Sequence, residues 1–289
     1  MKIAILILAH KNIDQVRKLV DVLKRDFEVF IHFDKRFPVP AGIAEEHVHV
    51  ADRRYTTYWG SYYTQLAILE LLKQAHSQSC DYYMLISGQD LPLMTNERIK
   101  TFVSDNYKDI FYHFELPRES LGLDGGQQRM TLYWDTKYES GNSLIRPLIL
   151  PIKGAFYSIR KLQTSLGIYR PLQFRLFCGS LWLNLTNNAV TYILEFIEKN
   201  PWYIKRYKLT RCTDEIFFHS ILLGFDYNGK NAVVNDDMRY IDWTSGPQYP
   251  RTLTMVDYRN CIQSGRLFGR KFDQLVDEEI IEKILQEVA

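Results

Sequence analysis

Residues 213–215 read Thr-Asp-Glu, and Ile216, Phe217, Phe218, Ile221 and Leu222 follow at the spacing of an apolar helix. Two carboxylates, Asp214 and Glu215, therefore stand where the chain is about to bury itself. Two kinds of chemistry account for them. With Cys212 or Thr213 as N-cap, acids in a first helical turn are stabilised by unpaired N–H groups and the helix dipole, by about 0.3–1 kcal/mol each. Alternatively, Glu215 is a base held ionised by the same helix end and able to take a proton from a hydroxyl. The spacing leaves both readings open.

Other residues of the right type lie where strands should end. Asp34 follows the run Val-Phe-Ile-His-Phe, and open α/β sheets bind ligands at the carboxyl ends of their strands. It can accept hydrogen bonds from a base or a ribose, or simply start a turn. His10, ahead of Lys11 and Asn12, ends the first apolar run in a similar place, although a lone histidine is more often structural. Asp90, in Ser-Gly-Gln-Asp-Leu-Pro, suits either acceptor binding or bracing of its loop. Trp182 and Trp243 are candidate platforms for a sugar ring, with buried packing as the plainer account.

Several familiar chemistries are missing. There is no Asp-x-Asp, and the adjacent Asp236 and Asp237 lack that spacing. Cys80, Cys178, Cys212 and Cys261 are scattered without zinc-site or disulfide-framework spacing and read as reduced, structural thiols. Neither a Gly-x-Gly-x-x-Gly after the first strand nor a Walker A segment occurs, so a nucleotide would have to be held in another way.

These residues need elements to position them, and a chain of 289 residues with 46% hydrophobic content can build a substantial core. Residues 3–9 read as a strand, an amphipathic helix follows from Asp14 to about Lys24, and Phe-Glu-Val-Phe-Ile-His-Phe-Asp supplies a second strand. The alternation continues through a helix near residues 64–75, a strand at 81–87, a helix opened by Thr95 and a strand at 109–114. Strands alternating with helices predict a parallel or mixed α/β sheet. Further on, a helix is expected around residues 189–199, a short strand at 231–235, and an amphipathic helix at the end of the sequence.

The stretch 116–177 is punctuated by Gly122, Gly125, Gly126, Gly141, Pro147, Pro151 and Pro171, and reads as long loops with short helices. No acid lies between Glu139 and Glu195, while Arg146, Lys153, Arg160, Lys161, Arg170 and Arg175 all fall there. Such a run is either a solvated face or a surface turned to anionic lipid or a pyrophosphate-linked substrate. The formal net charge of +2 argues against a dedicated nucleic-acid binder. The opening apolar run is too short to cross a membrane and lacks a signal-peptide cleavage site, so a cytoplasmic location is expected, with peripheral membrane contact on the inner face as an extension of the basic run.

In order along the chain stand LILAHKN, VFIHFDKR, YTTYWGS, LISGQDLPL, FCGSLWLN, TDE and PRTLTMVDY with LFGRKFD. Taken as an ordered set over about residues 1–275, they resemble the core-2/I-branching β-1,6-N-acetylglucosaminyltransferase family, which includes protein xylosyltransferases, and especially its compact, anchor-free bacterial members. The resemblance implies a GT-A-type fold in one domain, with residues 1–115 as the nucleotide-sugar half, 116–245 as the acceptor and catalytic half, and 246–289 as a diphosphate-clamping segment. It implies a UDP-sugar donor, a glycan acceptor and inverting transfer without a divalent metal or other cofactor. The family's Ser-Pro-Asp-Glu base motif corresponds to Cys-Thr-Asp-Glu here, which makes Glu215 the base and leaves Asp214 at the helix end. Arg251 and Lys271 correspond to the cations that take the leaving diphosphate, and Asp34 with Tyr58 to the uridine contacts. The acceptor expected is a growing bacterial surface glycan carried on polyprenyl pyrophosphate, and the sugar N-acetylglucosamine. A binding protein that kept the fold without the chemistry, and a metal-dependent transferase using Asp236 and Asp237, are the competing readings.

Overall fold

In the computed structural model, residues 1–122, 124–135, 146–244 and 249–289 are described, the side chains of 146–149 excepted. Strand β1 (Ile3–Ala9) is apolar at every position because it is buried on both faces. Its alternation divides the core. Ile3, Ile5, Ile7 and Ala9 join one cluster, and Ala4 and Leu6 join the other. Helix α1 (Ile13–Leu23) covers the first face with Val16, Leu19, Val20 and Leu23, the i, i+3, i+4, i+7 pattern of one helical stripe. Each such fully buried aliphatic side chain stabilises the fold by roughly 1.5–3 kcal/mol.

Strands β2 (Glu28–Phe33) and β3 (Val48–Val50) extend the sheet on one side of β1. Helix α2 (Tyr62–Ser77) crosses the second face, and β4 (Tyr82–Ser87) returns beside β1. After β5 (Asp90–Pro92) comes α3 (Asn96–Asp105), capped by the Thr95 hydroxyl as its sequence predicts. Next are β6 (His113–Leu116), α4 (Gln128–Thr131) and α5 (Arg146–Leu166), followed by β7 (Leu176–Gly179), β8 (Asn184–Thr186), α6 (Asn187–Lys199), α7 (Pro201–Arg206) and α8 (Phe217–Gly224). The chain closes with β9 (Arg239–Ile241), α9 (Tyr258–Gln263), β10 (Phe268–Arg270) and α10 (Glu278–Val288).

The main sheet runs β3-β2-β1-β4-β8, parallel except for β8. A small sheet β5-β10-β9 carries the C-terminal segment back to the rim of the main one, and β6 pairs with β7. Residues from β10 and α10 share the cluster of β1 and α1, so the C-terminal segment packs into the same core. The architecture is the mixed α/β sheet flanked by helices that the sequence predicts.

Three local readings need correction. Among its described residues, stretch 116–177 is not mainly loop: α5 spans 21 residues through Pro151. Pro147 is its second residue, where the missing N–H has no helical acceptor to lose. The strand expected at 109–114 lies at 113–116, with Ile110 making only isolated bridges to Asn184 and Val234. Residues 231–235 form no ladder strand beyond that bridge, and Lys230–Ala232 is a single 3-10 turn. The boundary expected at residue 246 falls outside the described residues.

Candidate active site

Helix α8 begins at Phe217, so Asp214 and Glu215 sit in the turn that leads into it rather than in its first turn. The Thr213 carbonyl accepts from the N–H groups of Ile216 and Phe217. Its hydroxyl does not cap the helix, because it accepts from Gln65 Nε2 of α2 at 2.8 Å and shares a hydrogen bond with Thr210. Cys212 is held through its N–H to the Gly60 carbonyl at 2.8 Å, and the Glu215 carbonyl accepts from Gly179 N at 2.9 Å. Gly179 has to be glycine: a Cβ there would run into the Tyr112 carbonyl. Three separate parts of the chain thus hold one short turn in place, which is how a side chain on a loop acquires a defined position.

Glu215 Oε2 accepts from Arg129 Nη1 at 2.6 Å. Arg129, on α4, was not singled out by the sequence. The Glu215 side chain is 41% exposed and can meet a hydroxyl, yet the protein packed around it desolvates the carboxyl and pushes its pKa up, with Arg129 opposing that shift. Asp214 is raised as well, first by burial and then by repulsion from Glu215, while N–H groups of its own turn and Arg129 hold it down. Its Oδ1 is buried without a hydrogen-bond partner. Two acids compete for ionisation beside one guanidinium, which is the situation that separates the roles of a carboxylate pair.

Cations gather on the rim where β1 and β10 end. The Lys271 ammonium is half-buried and makes no hydrogen bond or ion pair among the described residues; burial, then Arg270 and Lys11, lowers its pKa. Desolvation of His10, followed by repulsion from Lys11, Arg270 and Lys271, pushes that imidazole down to about 4. Lys11 is paired with Asp273. Arg270 Nη1 donates to Asp90 Oδ1 at 2.8 Å and to Ser87 Oγ at 2.6 Å, and its guanidinium lies 4.5 Å from the Trp182 ring centre. Asp90 is wholly buried and also accepts from Ser87 N, so it braces the loop and Arg270. Trp182 is only 7% exposed and serves as the floor under Arg270 rather than as an open sugar platform.

Asp34 is also wholly buried. Its carboxylate accepts from Arg36 N, Nε and Nη2 and from Thr57 N and Oγ1, all within 2.7–2.9 Å. Burial alone would raise its pKa, but these bonds outweigh it and bring it down to about 2. With its lone pairs taken, Asp34 presents Arg36, whose guanidinium stands 4.9 Å from the Tyr58 ring centre. Any nucleoside contact here therefore falls first to Arg36 and Tyr58.

Arg251 is engaged. It donates to Asp242 Oδ2 at 2.8 Å and to Asp257 at 2.6 and 3.0 Å, and would have to release a carboxylate to meet a phosphate. Trp243, 52% exposed, follows Asp242 directly. Asp236 is bound by Arg266 through both oxygens at 2.7 Å, and Asp237 accepts from Arg239 N, so the two acids serve local structure. Among the described residues no three His, Cys, Asp or Glu side chains group as metal ligands would.

Chains of contacts link these parts. From Glu215 the chain of contacts runs through Gly179 to Trp182, three residues on, under Arg270 and so beside Lys271; three extended residues reach at most about 10 Å. A second route runs from the Glu215 turn through Cys212 to Gly60, two residues from Tyr58 and its Arg36. Beside Arg129, two adjoining grooves of about 300 and 360 Å³ are lined by Tyr133, Gln163 and Arg206 and by Gln127, Gln128 and Thr131, with Arg170 common to both. Nothing in the sequence around Arg129 marked it; Arg270 was visible only as the neighbour of Lys271.

The model of the family described as "Core-2/I-Branching enzyme" matches residues 3–265. The chain is 26% identical over 212 residues to the β-glucuronosyltransferase GlcAT14B of Arabidopsis thaliana, an alignment covering 72% of this chain and 44% of that protein. It is 27% identical over 220 residues to GlcAT14C of the same plant, covering 74% and 50%. With xylosyltransferase 2 of Bos taurus it shares 23% over 309 residues, covering 97% and 33%. The chain thus spans half or less of these relatives. A Bacillus anthracis structure assigned as a glucose-1-phosphate thymidylyltransferase, in complex with sucrose, aligns at 12% identity over 72% of this chain and 85% of that one, with a TM-score of 0.29, too slight to bear on the fold.

Proposed function

The chain belongs to the core-2/I-branching enzyme family, and from that membership we propose that it is an inverting glycosyltransferase that moves a sugar from a UDP-sugar to a hydroxyl of a glycan acceptor without a divalent metal. The observation that supports this reading is the chain of contacts linking a candidate base, Glu215 oriented by Arg129, to Arg270 and its neighbour Lys271, an unengaged cation close to Lys11 and His10. In a single in-line displacement the acceptor oxygen bonds to the anomeric carbon as the bond to the diphosphate breaks. The hydroxyl proton passes to Glu215, whose Oε2 is occupied by Arg129 and whose Oε1 remains for the hydroxyl. A raised pKa makes that carboxylate a better proton acceptor, and Arg129 keeps enough of it ionised. Lys271, with Arg270 and Lys11, offsets the charge that builds on the departing UDP, work that preorganised cations in a desolvated site do without reorganisation.

Arg36 and Tyr58 would meet the nucleoside, and the grooves beside Arg129 would take the acceptor. The named activities of the relatives and the resemblance together make glucuronic acid, xylose and N-acetylglucosamine the sugars to examine. A bacterial surface glycan on polyprenyl pyrophosphate is the acceptor class we favour. The test is release of UDP from these three donors in the presence of glycan acceptors, with and without excess chelator. Turnover that survives chelation is expected. Turnover lost with chelator and restored by manganese would overturn the metal-free clamp, and donor binding without turnover would leave a carbohydrate- or nucleotide-sugar-binding protein.

A further inference from the structure

Helix α5 leaves an apolar stripe uncovered. Ile152, Ala155, Ile159, Leu162 and Leu166 recur at steps of 3 and 4, and all five are exposed. Leu162 and Leu166 are each 59% exposed. The side next to this stripe carries the contacts with the body. Gln163 is the one buried residue from 150 to 166 and accepts from Tyr133 N, while Arg160 stacks 4.3 Å from the Trp134 ring centre. Beyond the helix the exposed apolar surface continues through Ile168 and Tyr169.

We propose that this face docks α5 in the plane of an anionic lipid surface. Charge decides between occupants. The whole stretch from residue 140 to 194 contains no acid, and Lys153 and Lys161 on α5 are exposed with no ion pair among the described residues. A stripe at coiled-coil spacing could also pair with a second copy of itself, but two such helices would bring lysine and arginine together with no carboxylate to offset them. An apolar stripe on one side with lysines on the polar side, here Lys153 and Lys161, is the pattern of helices that lie in a membrane interface, the long basic side chains reaching the headgroups. No helix among the described residues is long and apolar enough to cross a membrane, so the contact would be along the surface. Arg175, by contrast, is paired with Glu115 and Arg170 with the carbonyls of Arg206 and Leu209, so not every cation of the basic run takes part. The side chain of Arg146 lies outside the described residues.

The placement bears on the site. Tyr133 N donates to Gln163 of α5, and Arg170 N donates to the carbonyl of Thr131 on α4, the helix that supplies Arg129 to Glu215. A docked α5 would hold the mouth of the site close to acceptors carried on lipid. Docking itself is independent of the sugar chemistry, so its failure leaves the transferase reading standing.

The test uses the full chain and vesicles of phosphatidylcholine alone or with phosphatidylglycerol. Binding only to the anionic vesicles, released by salt, is expected. Ile159→Asp with Leu162→Asp should abolish it, while circular dichroism and UDP affinity stay unchanged because both residues are exposed. Lys153→Gln with Lys161→Gln should weaken it roughly 10–30-fold and leave the stripe intact. Equal binding to both vesicle types, no binding, or full binding by the stripe variant would each overturn the proposal. So would a stripe-dependent dimer in sedimentation that does not bind vesicles, which would assign the face to a second copy.

Discussion

Arg129 Nη1 donates to Glu215 Oε2 across 2.6 Å, joining α4 to the turn before α8 over a sequence separation of 86 residues. The pair orients the carboxylate that we propose as the base, and Asp214 beside it repels the same negative charge that Arg129 attracts. Replacing Glu215 by Gln keeps size and hydrogen-bonding reach but removes the proton acceptor. Transfer is expected to fall roughly 10²–10⁴-fold. UDP affinity and the thermal midpoint should be retained, and Asp214→Asn should cost far less activity. Near-normal turnover of Glu215→Gln would remove the catalytic role from this turn.

The pH profile reads the same trio. An ionised base is required, so kcat/KM should rise through the apparent pKa of the coupled acids. Arg129→Gln removes a positive charge and should move that acid limb to higher pH. Asp214→Asn removes a negative one and should move it to lower pH. Shifts in the same direction for both variants would show that neither group acts through Glu215.

Asp214 also predicts a stability change of definite sign. Its pKa in the folded chain is raised, so its contribution is fully present below the ordinary carboxylate range and is lost as pH rises through the raised value. Asp214→Asn should therefore raise the melting temperature at neutral pH, and the gain should fade below about pH 4. Thermal unfolding followed across pH checks this, and a gain that grew on acidification would reverse the assignment.

Lys271→Ala should weaken UDP binding measured by calorimetry and lower turnover by roughly 10²–10³-fold, as loss of a charge stabiliser does. Lys271→Arg should recover only part, because guanidinium and ammonium differ in shape and hydration. Arg251→Ala should act on thermal stability first, since it strands Asp242 and Asp257. A larger loss of UDP affinity in Arg251→Ala than in Lys271→Ala would show that Arg251 exchanges its carboxylates for the diphosphate.

His10, pushed down to about 4 by desolvation from the protein around it and by Lys11, Arg270 and Lys271, is neutral at pH 7. A diphosphate bound among those cations would bring negative charge next to the imidazole and raise its pKa. Titration of the ring by NMR, with and without saturating UDP, should show that rise; an unchanged titration would move the diphosphate elsewhere.

Much of the fold was legible because periodicity is local. The unbroken apolar run of β1 and the helical stripe of α1 state their burial without reference to the rest of the chain. Helix α5 escaped because Pro147 and Pro151 mimic loop punctuation and outweighed the helical spacing of Ile152, Ala155, Ile159, Leu162 and Leu166. Arg129 left no trace beyond one arginine after a Gly-Gly-Gln-Gln run. Its importance comes entirely from where α4 meets the Glu215 turn.

Residue type and order, then, determined which chemistry was available: carboxylates at 214 and 215, cations at 251, 270 and 271, an acid-free middle and an alternating α/β frame. Tertiary structure decided which of those groups remain free to act. Asp34 is consumed by Arg36 and Thr57, Asp90 by Arg270 and Ser87, and Arg251 by Asp242 and Asp257, whereas Lys271 has no such partner among the described residues. Identity sets a charge, but its pKa and availability depend on the desolvation and partners that packing assembles, in the case of Arg270 and Asp90 across 180 residues of chain.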